Sequence, residues 1–401
     1  MAMTCQFYHC SVPFRLDTYR GCQFACSYCF AVDRNINMNI RSVVPADFST
    51  IKDFFQRAFD NRKPTNDVIV QCLRRKMPVH FGGMSDPFQP IEKILKLSLK
   101  TLSLLKKYDY PTIVSTKSDL LLKQQYLEVL EEMKIAVQIT LTTSKNQTAR
   151  KLEPHAPSVD RRLEVISTLS EMGIWVSCRL QPLIPKVNSQ DIELIDKLSD
   201  AGCKHVAIEH YKLPTYTNSH RRQMMCKICS YDIEKYYKQR CPIPSGMFFE
   251  ISSEEKINNL KNIVRGIHKK RMTYGAADND LHHLGDDICC CGVGKLEGFR
   301  NFFKHHNAKA VFDGKNFGKI HYSSIEREWR PTGSIREILN LKSRPKSVNE
   351  KRPSSITDFV RIRWNAPFTN NSPTDMFGVF PSNERDENGN VIYRYENTVN
   401  F

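Results

Sequence analysis

Cys22, Cys26 and Cys29 lie within eight consecutive residues of the stretch RGCQFACSYCFAVDRN (20–35), spaced C-x3-C-x2-C. Thiolates are metal ligands, and three on one short loop can share one inorganic centre. A structural zinc site closes its tetrahedron with four protein ligands, and no Cys or His follows within the next twenty residues. A [4Fe–4S] cluster held by three cysteines keeps one iron without a protein ligand, open to a substrate or cofactor. A zinc site with a remote fourth ligand is the competing reading.

Two more cysteine groups follow. MCKICSYDIEKYYKQRC supplies Cys226, Cys229 and Cys241, and DNDLHHLGDDICCCGVG supplies Cys289, Cys290 and Cys291 beside His282 and His283. C-x2-C spacing is common to zinc ribbons and auxiliary iron–sulfur sites. The expectation is a second metal site, iron–sulfur or zinc, joining Cys226, Cys229 and Cys241 to Cys289. Cys5, Cys10, Cys72, Cys178 and Cys203 are scattered, and most of them read as small buried hydrophobes.

The chain has 401 residues and 14 cysteines. The start, MAMTCQFYHC, lacks a basic segment followed by an apolar block, so the expected compartment is the cytoplasm. Thiols stay reduced there, and clustered cysteines point to metal or redox work. No run of about 18 apolar residues suggests a membrane span. The net charge of +16, from 59 basic and 43 acidic residues, favours an anionic partner, DNA or RNA first. HRRQMM (220–225), KKRMTY (269–274) and KSRPKSVNEKR (342–352) suit phosphate contact with some base stacking.

Positioning these groups falls to a β-α series. Apolar runs predict strands at 77–83, 112–116, 136–143, 175–181 and 204–211, with amphipathic helices at 91–108, 119–134, 158–173 and 189–202 between them. Asp119 and Ser158 are the expected caps of the second and third helices, and Gly173 the stop of the third. A strand near Pro13–Tyr19 and a helix at Ala46–Asp60 open the series; a helix at 254–270 and a strand at 272–276 close it. The expected fold class is α/β, a partial (β/α)6 TIM-type barrel of six or seven units. Its chemistry would sit at the C-terminal ends of the strands, where the cysteine loop falls. The barrel is expected to span 1–285, with a cysteine-containing insertion at about 212–250. Residues 286–401 form a C-terminal extension of unassigned fold, in which 342–355 reads as a linker.

The pattern C-x3-C-x-φ-C with Tyr28, just after a first barrel strand, resembles the signature of the radical S-adenosylmethionine (SAM) superfamily. GGMSDPFQPIE (82–92), STKSDLLL (115–122), LEPHAPSVDRRLEVI (152–166) and LQPLIP (180–185) follow in the order of its spore photoproduct lyase-like branch. The resemblance covers roughly residues 15–210. It implies a [4Fe–4S] cluster on Cys22, Cys26 and Cys29, SAM on the open iron, and a 5′-deoxyadenosyl radical formed with an electron from a donor such as flavodoxin or ferredoxin. It also implies SAM contacts for Tyr28 (adenine), Gly82 and Gly83 (methionine amino group), Ser85, Lys117 (methionine carboxylate), Thr140 and Glu153, the last paired with Arg162.

One departure stands out. The lyase has a hydrogen-donating cysteine before its Ser/Thr-Asp pair, and this chain has Met84, which carries no S–H. A thiol among Cys289, Cys290 and Cys291 is a candidate replacement. The leading expectation is a radical SAM enzyme that repairs or modifies nucleic acid. The alternatives are a radical SAM enzyme acting on a peptide or small molecule, and a zinc-stabilised nucleic-acid-binding protein without radical chemistry.

Overall fold

Strands form where short runs of β-branched and apolar residues are buried on both faces, which suits a parallel sheet covered by helices. The computed structural model describes residues 1–32, 42–215, 219–241, 247–333, 355–396, 399 and 401. Seven parallel strands lie in chain order in one sheet: β1 (Phe14–Leu16), β2 (Val79–Phe81), β3 (Thr112–Thr116), β4 (Ile135–Thr140), β5 (Trp175–Leu183), β6 (His205–His210) and β7 (Thr273–Ala276). Ala2–Met3 adds antiparallel to the edge of β1. Among the described residues no ladder joins β1 to β7, so this is the expected partial barrel, with seven strands.

Several of the helices covering the sheet begin at side-chain caps. Ser158 accepts from Arg161 N at the start of Val159–Glu171, Asp191 from Leu194 N before Ile192–Asp200, and Ser252 from Glu255 N before Ser253–Lys269. In the last of these Ile257, Leu260, Ile263, Val264 and Ile267 are buried at helical spacing, each worth roughly 1.5–3 kcal/mol of gross burial.

Two predicted helices are broken. The one at 91–108 is Glu92–Leu95 followed by Leu97–Lys107, because Lys96 takes φ +50°. Buried Glu92 pins that break by accepting from Ser98 N and Leu99 N, each at 2.9 Å, and from the Tyr126 hydroxyl at 3.0 Å. The one at 119–134 is a 3-10 turn, Leu120–Leu122, and a helix, Gln124–Leu130, with Lys123 extended between them. Asp119 does not cap it; its carboxylate pairs with Arg161 instead, at 3.3 Å. Helix Val68–Arg74, capped by Asp67, was not expected.

The insertion supplies helices Ser219–Cys229 and Ile233–Arg240 and a ladder between Leu213–Pro214 and Phe248–Phe249. It buries Tyr211, Met225, Ile233 and Tyr237 with Leu152 and Ile184, and Tyr28 packs against that cluster. The insertion therefore roofs the mouth of the barrel beside the cysteine loop.

The extension has an ordered core. Lys319–Ile320, Val391–Tyr395 and Val379–Arg385 form a three-stranded antiparallel sheet. Trp364, from helix Ile356–Trp364, is buried between the rings of Tyr322 and Tyr393 and donates to Val391 O at 2.7 Å. These residues share one apolar core with Phe7, Tyr8 and Phe14. The predicted linker at 342–355 lies outside the described residues except for Ser355, which caps Ile356–Trp364.

Candidate functional site

The loop carrying Cys22, Cys26 and Cys29 leaves the C-terminal end of β1. Its turns need unusual backbone: Gly21 has φ +86° and Ala25 φ +50°. Cys26 is buried, while Cys22 and Cys29 are half-buried. Burial pushes the Cys22 thiol up to about 11 and the Cys26 thiol up to about 12; Lys117 works against the second shift.

The loop is tied down from three sides. The Ser27 amide donates to Leu152 O at 2.9 Å, and its hydroxyl donates to the same oxygen at 2.8 Å. Arg221 of the insertion donates to Ser27 O and Cys29 O, each at 3.1 Å. The Tyr28 hydroxyl donates to Glu153 Oε1. The other oxygen of Glu153 holds Arg162 at 2.6 Å, and Arg162 also donates to Thr140 O at 2.9 Å. Glu153 and Arg162 thus brace the cysteine loop against the end of β4.

The other expected SAM contacts lie at neighbouring strand ends. After β2, Gly82 has φ +93°, and a Cβ there would stand 2.5 Å from Ser115 O; a Cβ on Gly83 would stand 2.7 Å from Arg15 Cδ. Both glycines are required by packing on the protein's own atoms. The Ser85 hydroxyl donates to Tyr19 O at 2.6 Å. Asp86 accepts from the Thr116 hydroxyl and from Lys117 N, each at 2.7 Å, which couples the loop after β2 to the end of β3. Lys117 Nζ stands 5.8 Å from the centroid of the Tyr28 ring. Burial alone would lower its pKa, but Cys26, Glu153 and Asp86 outweigh burial and hold it above the usual lysine value. Among the described residues this ammonium makes no hydrogen bond or ion pair.

Below that level the lumen is polar. Side chains at alternate strand positions share a face, and the face with Lys117 and Thr140 also carries Arg15, His80, Ser115, Gln138, Arg179 and Gln181. His80 Nε2 is 2.6 Å from Ser115 Oγ, which donates to Gln138 Oε1 at 3.0 Å. Arg179 donates to Ser115 Oγ at 3.1 Å and to Gln181 Oε1 at 3.0 and 2.5 Å. Arg15 donates to Gln6 Oε1 at 2.9 Å and contacts Met84 Sδ at 3.8 Å. Sequence reasoning missed this network. Its only signal was polar residues at alternate positions of strands that otherwise read as core.

The remaining cysteines are not gathered. Cys226 and Cys229 lie one turn apart on Ser219–Cys229, facing the roof cluster, and Cys241 follows Ile233–Arg240. Cys289 belongs to a different apolar cluster, with Val12, Ile113, Ala136, Cys291 and Phe302, at the N-terminal ends of the strands. The four ligands expected for a second site therefore lie in two places. Among the described residues no three Cys, His, Asp or Glu side chains are placed to hold a single metal ion. The Cys289–Gly292 turn floors the barrel, with Cys290 O 2.8 Å from His205 Nε2. Of the proposed donor thiols, Cys290 faces His282. Cys10 is half-buried, and burial pushes its thiol up to about 12 against the pull of Arg15 and Arg179.

Residues 16–199 match the family described as the radical SAM superfamily. That match spans a little under half of the chain. An uncharacterised protein of Methanocaldococcus jannaschii is 26% identical over 253 residues, 61% of this chain and 85% of its own. The radical SAM Nα-GlyT isomerase of Pseudomonas phage M6 is 27% identical over 143 residues, 32% of this chain and 27% of its own. A solved variant of spore photoproduct lyase shares the fold at TM-score 0.50 and 15% identity, covering 67% of this chain and 76% of that one.

The cysteine loop fits a [4Fe–4S] cluster. A cubane places each thiolate on its own iron, so its cysteines need not meet at one point. Three thiols on one braced loop, two of them half-buried, meet that need, and Lys117 supplies positive charge beside them. Among the described residues no helix is long and apolar enough to cross a membrane.

Proposed function

We propose that this chain is a radical SAM enzyme acting on nucleic acid. The observation carrying the first half is the match over 16–199 together with Cys22, Cys26 and Cys29 on the loop after β1. Cluster and SAM together would supply reductive cleavage of the sulfonium and a 5′-deoxyadenosyl radical. The chain's own residues do the rest. Cys22, Cys26 and Cys29 would hold the cluster, Glu153 and Arg162 keep their loop in place, and Lys117 would supply the cation for the methionine carboxylate. The insertion packs its apolar cluster against Tyr28 of the cysteine loop.

The nucleic-acid half is supported by charge. The net charge is +16, and helix Ser219–Cys229, beside the cysteine loop, carries Arg221, Arg222 and Lys227, with Arg222 paired to Glu234. Cations on a rim attract a phosphate backbone and lose that attraction as salt rises. The branch resemblance of the four ordered motifs points the same way.

The test is 5′-deoxyadenosine formation from SAM by anaerobically reconstituted protein with dithionite, beside Cys26→Ala. Product from the wild type alone supports the radical reading, and a salt-sensitive rise with DNA or RNA supports the substrate. A rise with peptides and none with nucleic acid would move the substrate to the peptide class. A colourless, zinc-loaded protein would overturn the enzyme reading.

A further inference from the structure

A TIM-type barrel is normally filled with branched apolar side chains. Here the layer between floor and mouth holds two guanidinium groups, Arg15 from β1 and Arg179 from β5. A guanidinium keeps its proton in any folded protein, and both of these are half-buried, where an opposite charge is the favourable partner. Neither of these pairs with a carboxylate among the described residues. Arg179 contacts Gln181, Ser115 and His80, all uncharged acceptors or donors. Arg15 contacts Gln6 and Met84, and its Nε is buried with no partner. The nearby acid Asp17 is occupied by the amides of Met84 and Ser85, at 2.8 and 3.4 Å.

Both arginines act on the same point. His80 stands opposite Arg15 in the β1–β2 register and 3.4 Å from Arg179 Nη1. Burial, then Arg179 and Arg15, holds its imidazole well below the usual range, so it adds a neutral partner and no third charge. Gly83 allows this convergence, since a Cβ there would meet the Arg15 stem at 2.7 Å. The result is a pair of half-buried cations in the lumen under the cysteine loop, neither of them paired with a carboxylate among the described residues.

We infer that the barrel lumen is an oxyanion site in which Arg15 and Arg179 together receive a phosphate or carboxylate group of the substrate. The inference rests on the reading of this chain as an enzyme whose substrate enters the lumen. If the substrate is nucleic acid, the oxyanion is a backbone phosphodiester held below the cluster, and the reacting base or sugar sits above it. Guanidinium forks suit planar, two-point recognition of either oxyanion.

The test measures binding of inorganic phosphate, succinate, a thymidine dinucleotide and its uncharged methylphosphonate analogue to the cluster-loaded full chain by calorimetry. Arg15→Gln, Arg179→Gln and the two corresponding lysine variants are compared with wild type, with cluster absorbance and SAM affinity followed in each. The expected result is that each glutamine variant weakens oxyanion binding by about tenfold or more. The lysine variants recover most of it, and SAM affinity and cluster absorbance hold. Preference for the dinucleotide over its methylphosphonate identifies a phosphodiester. Arginine-dependent binding of succinate alone identifies a carboxylate; the site then stands and the nucleic-acid reading falls. Arginine-dependent phosphate binding without stimulation of 5′-deoxyadenosine by DNA or RNA has the same consequence. Equal oxyanion affinity in wild type and both glutamine variants overturns the inference. Loss of SAM affinity in their place also overturns it, since the arginines would then serve the cofactor.

Discussion

Glu153 and Arg162 form an ion pair at 2.6 Å with both side chains sealed from solvent, and the free oxygen of Glu153 takes the Tyr28 hydroxyl beside the cluster cysteines. Breaking such a pair from one side strands a buried charge and costs about 3–5 kcal/mol. Glu153→Gln and Arg162→Met should each lower stability by that order, read as a fall in the urea midpoint. Tyr28→Phe should cost only about 1 kcal/mol but loosen the cysteine loop, read as less iron bound per chain after reconstitution. The double variant Glu153→Gln, Arg162→Met should cost clearly less than the sum of the single changes.

Gly82 and Gly173 share a left-handed backbone but differ in surroundings. Gly173 (φ +77°) has open space where a Cβ would go, whereas a Cβ on Gly82 (φ +93°) meets Ser115 O at 2.5 Å. Gly173→Ala should cost about 1 kcal/mol, from backbone strain alone. Gly82→Ala must also displace the end of β3, and so the backbone of Lys117. It should cost several times more and weaken SAM binding. Thermal midpoints of the two variants decide this; equal shifts would count against it.

What the sequence disclosed, it disclosed through local rules. The strand at 112–116 and the capping of Val159–Glu171 by Ser158 follow from side-chain period and cap chemistry, which neighbours in the chain report. The cysteine loop was legible for the same reason. The break at Lys96 was not, because it depends on a buried Glu92 that takes the amides of Ser98 and Leu99 and reaches Tyr126 across the helix layer. Pairing of Lys319–Ile320 with Val391–Tyr395 spans some seventy residues that carry no matching local signal. The Cys226–Cys289 site was expected because spacing counts cysteines without locating them, and the fold sends one group to the roof and the other to the floor. Arg15 and Arg179 become neighbours only when the sheet curls.

Lys117 should separate cofactor binding from cluster binding. Its ammonium lies near Cys26 and Tyr28 but ligates nothing. A charge-assisted contact to a carboxylate is worth about 1.5–3 kcal/mol. Lys117→Met should therefore weaken SAM binding by about 10- to 150-fold while the iron content and visible absorbance of the cluster stay as in wild type. Equilibrium dialysis with labelled SAM measures the first, and iron assay with spectroscopy the second. A loss of iron in step with the loss of SAM would show that Lys117 supports the thiolates themselves.

Mild acid should unfold the protein through its histidines. Burial holds His9 and His283 down at about 3 and His305 at about 4, against about 6.5 for an unfolded histidine. All three are neutral in the fold at pH 6, whereas the unfolded chain binds protons there. Their contribution is fully present above pH 6.5 and is lost as pH falls toward 3–4. Each proton taken up on unfolding contributes about 1.4 kcal/mol per pH unit. These three partly filled sites alone give a loss of roughly 3 kcal/mol per unit between pH 6.5 and 5.5, and His80, His205 and His306, which burial also holds down, add to it. Urea unfolding across that window measures the slope. His305→Gln keeps a donor for Ile325 O, which lies 2.8 Å from His305 Nδ1, and should reduce the slope by nearly one proton. A slope unchanged in that variant would mean that His305 already carries its charge inside the fold.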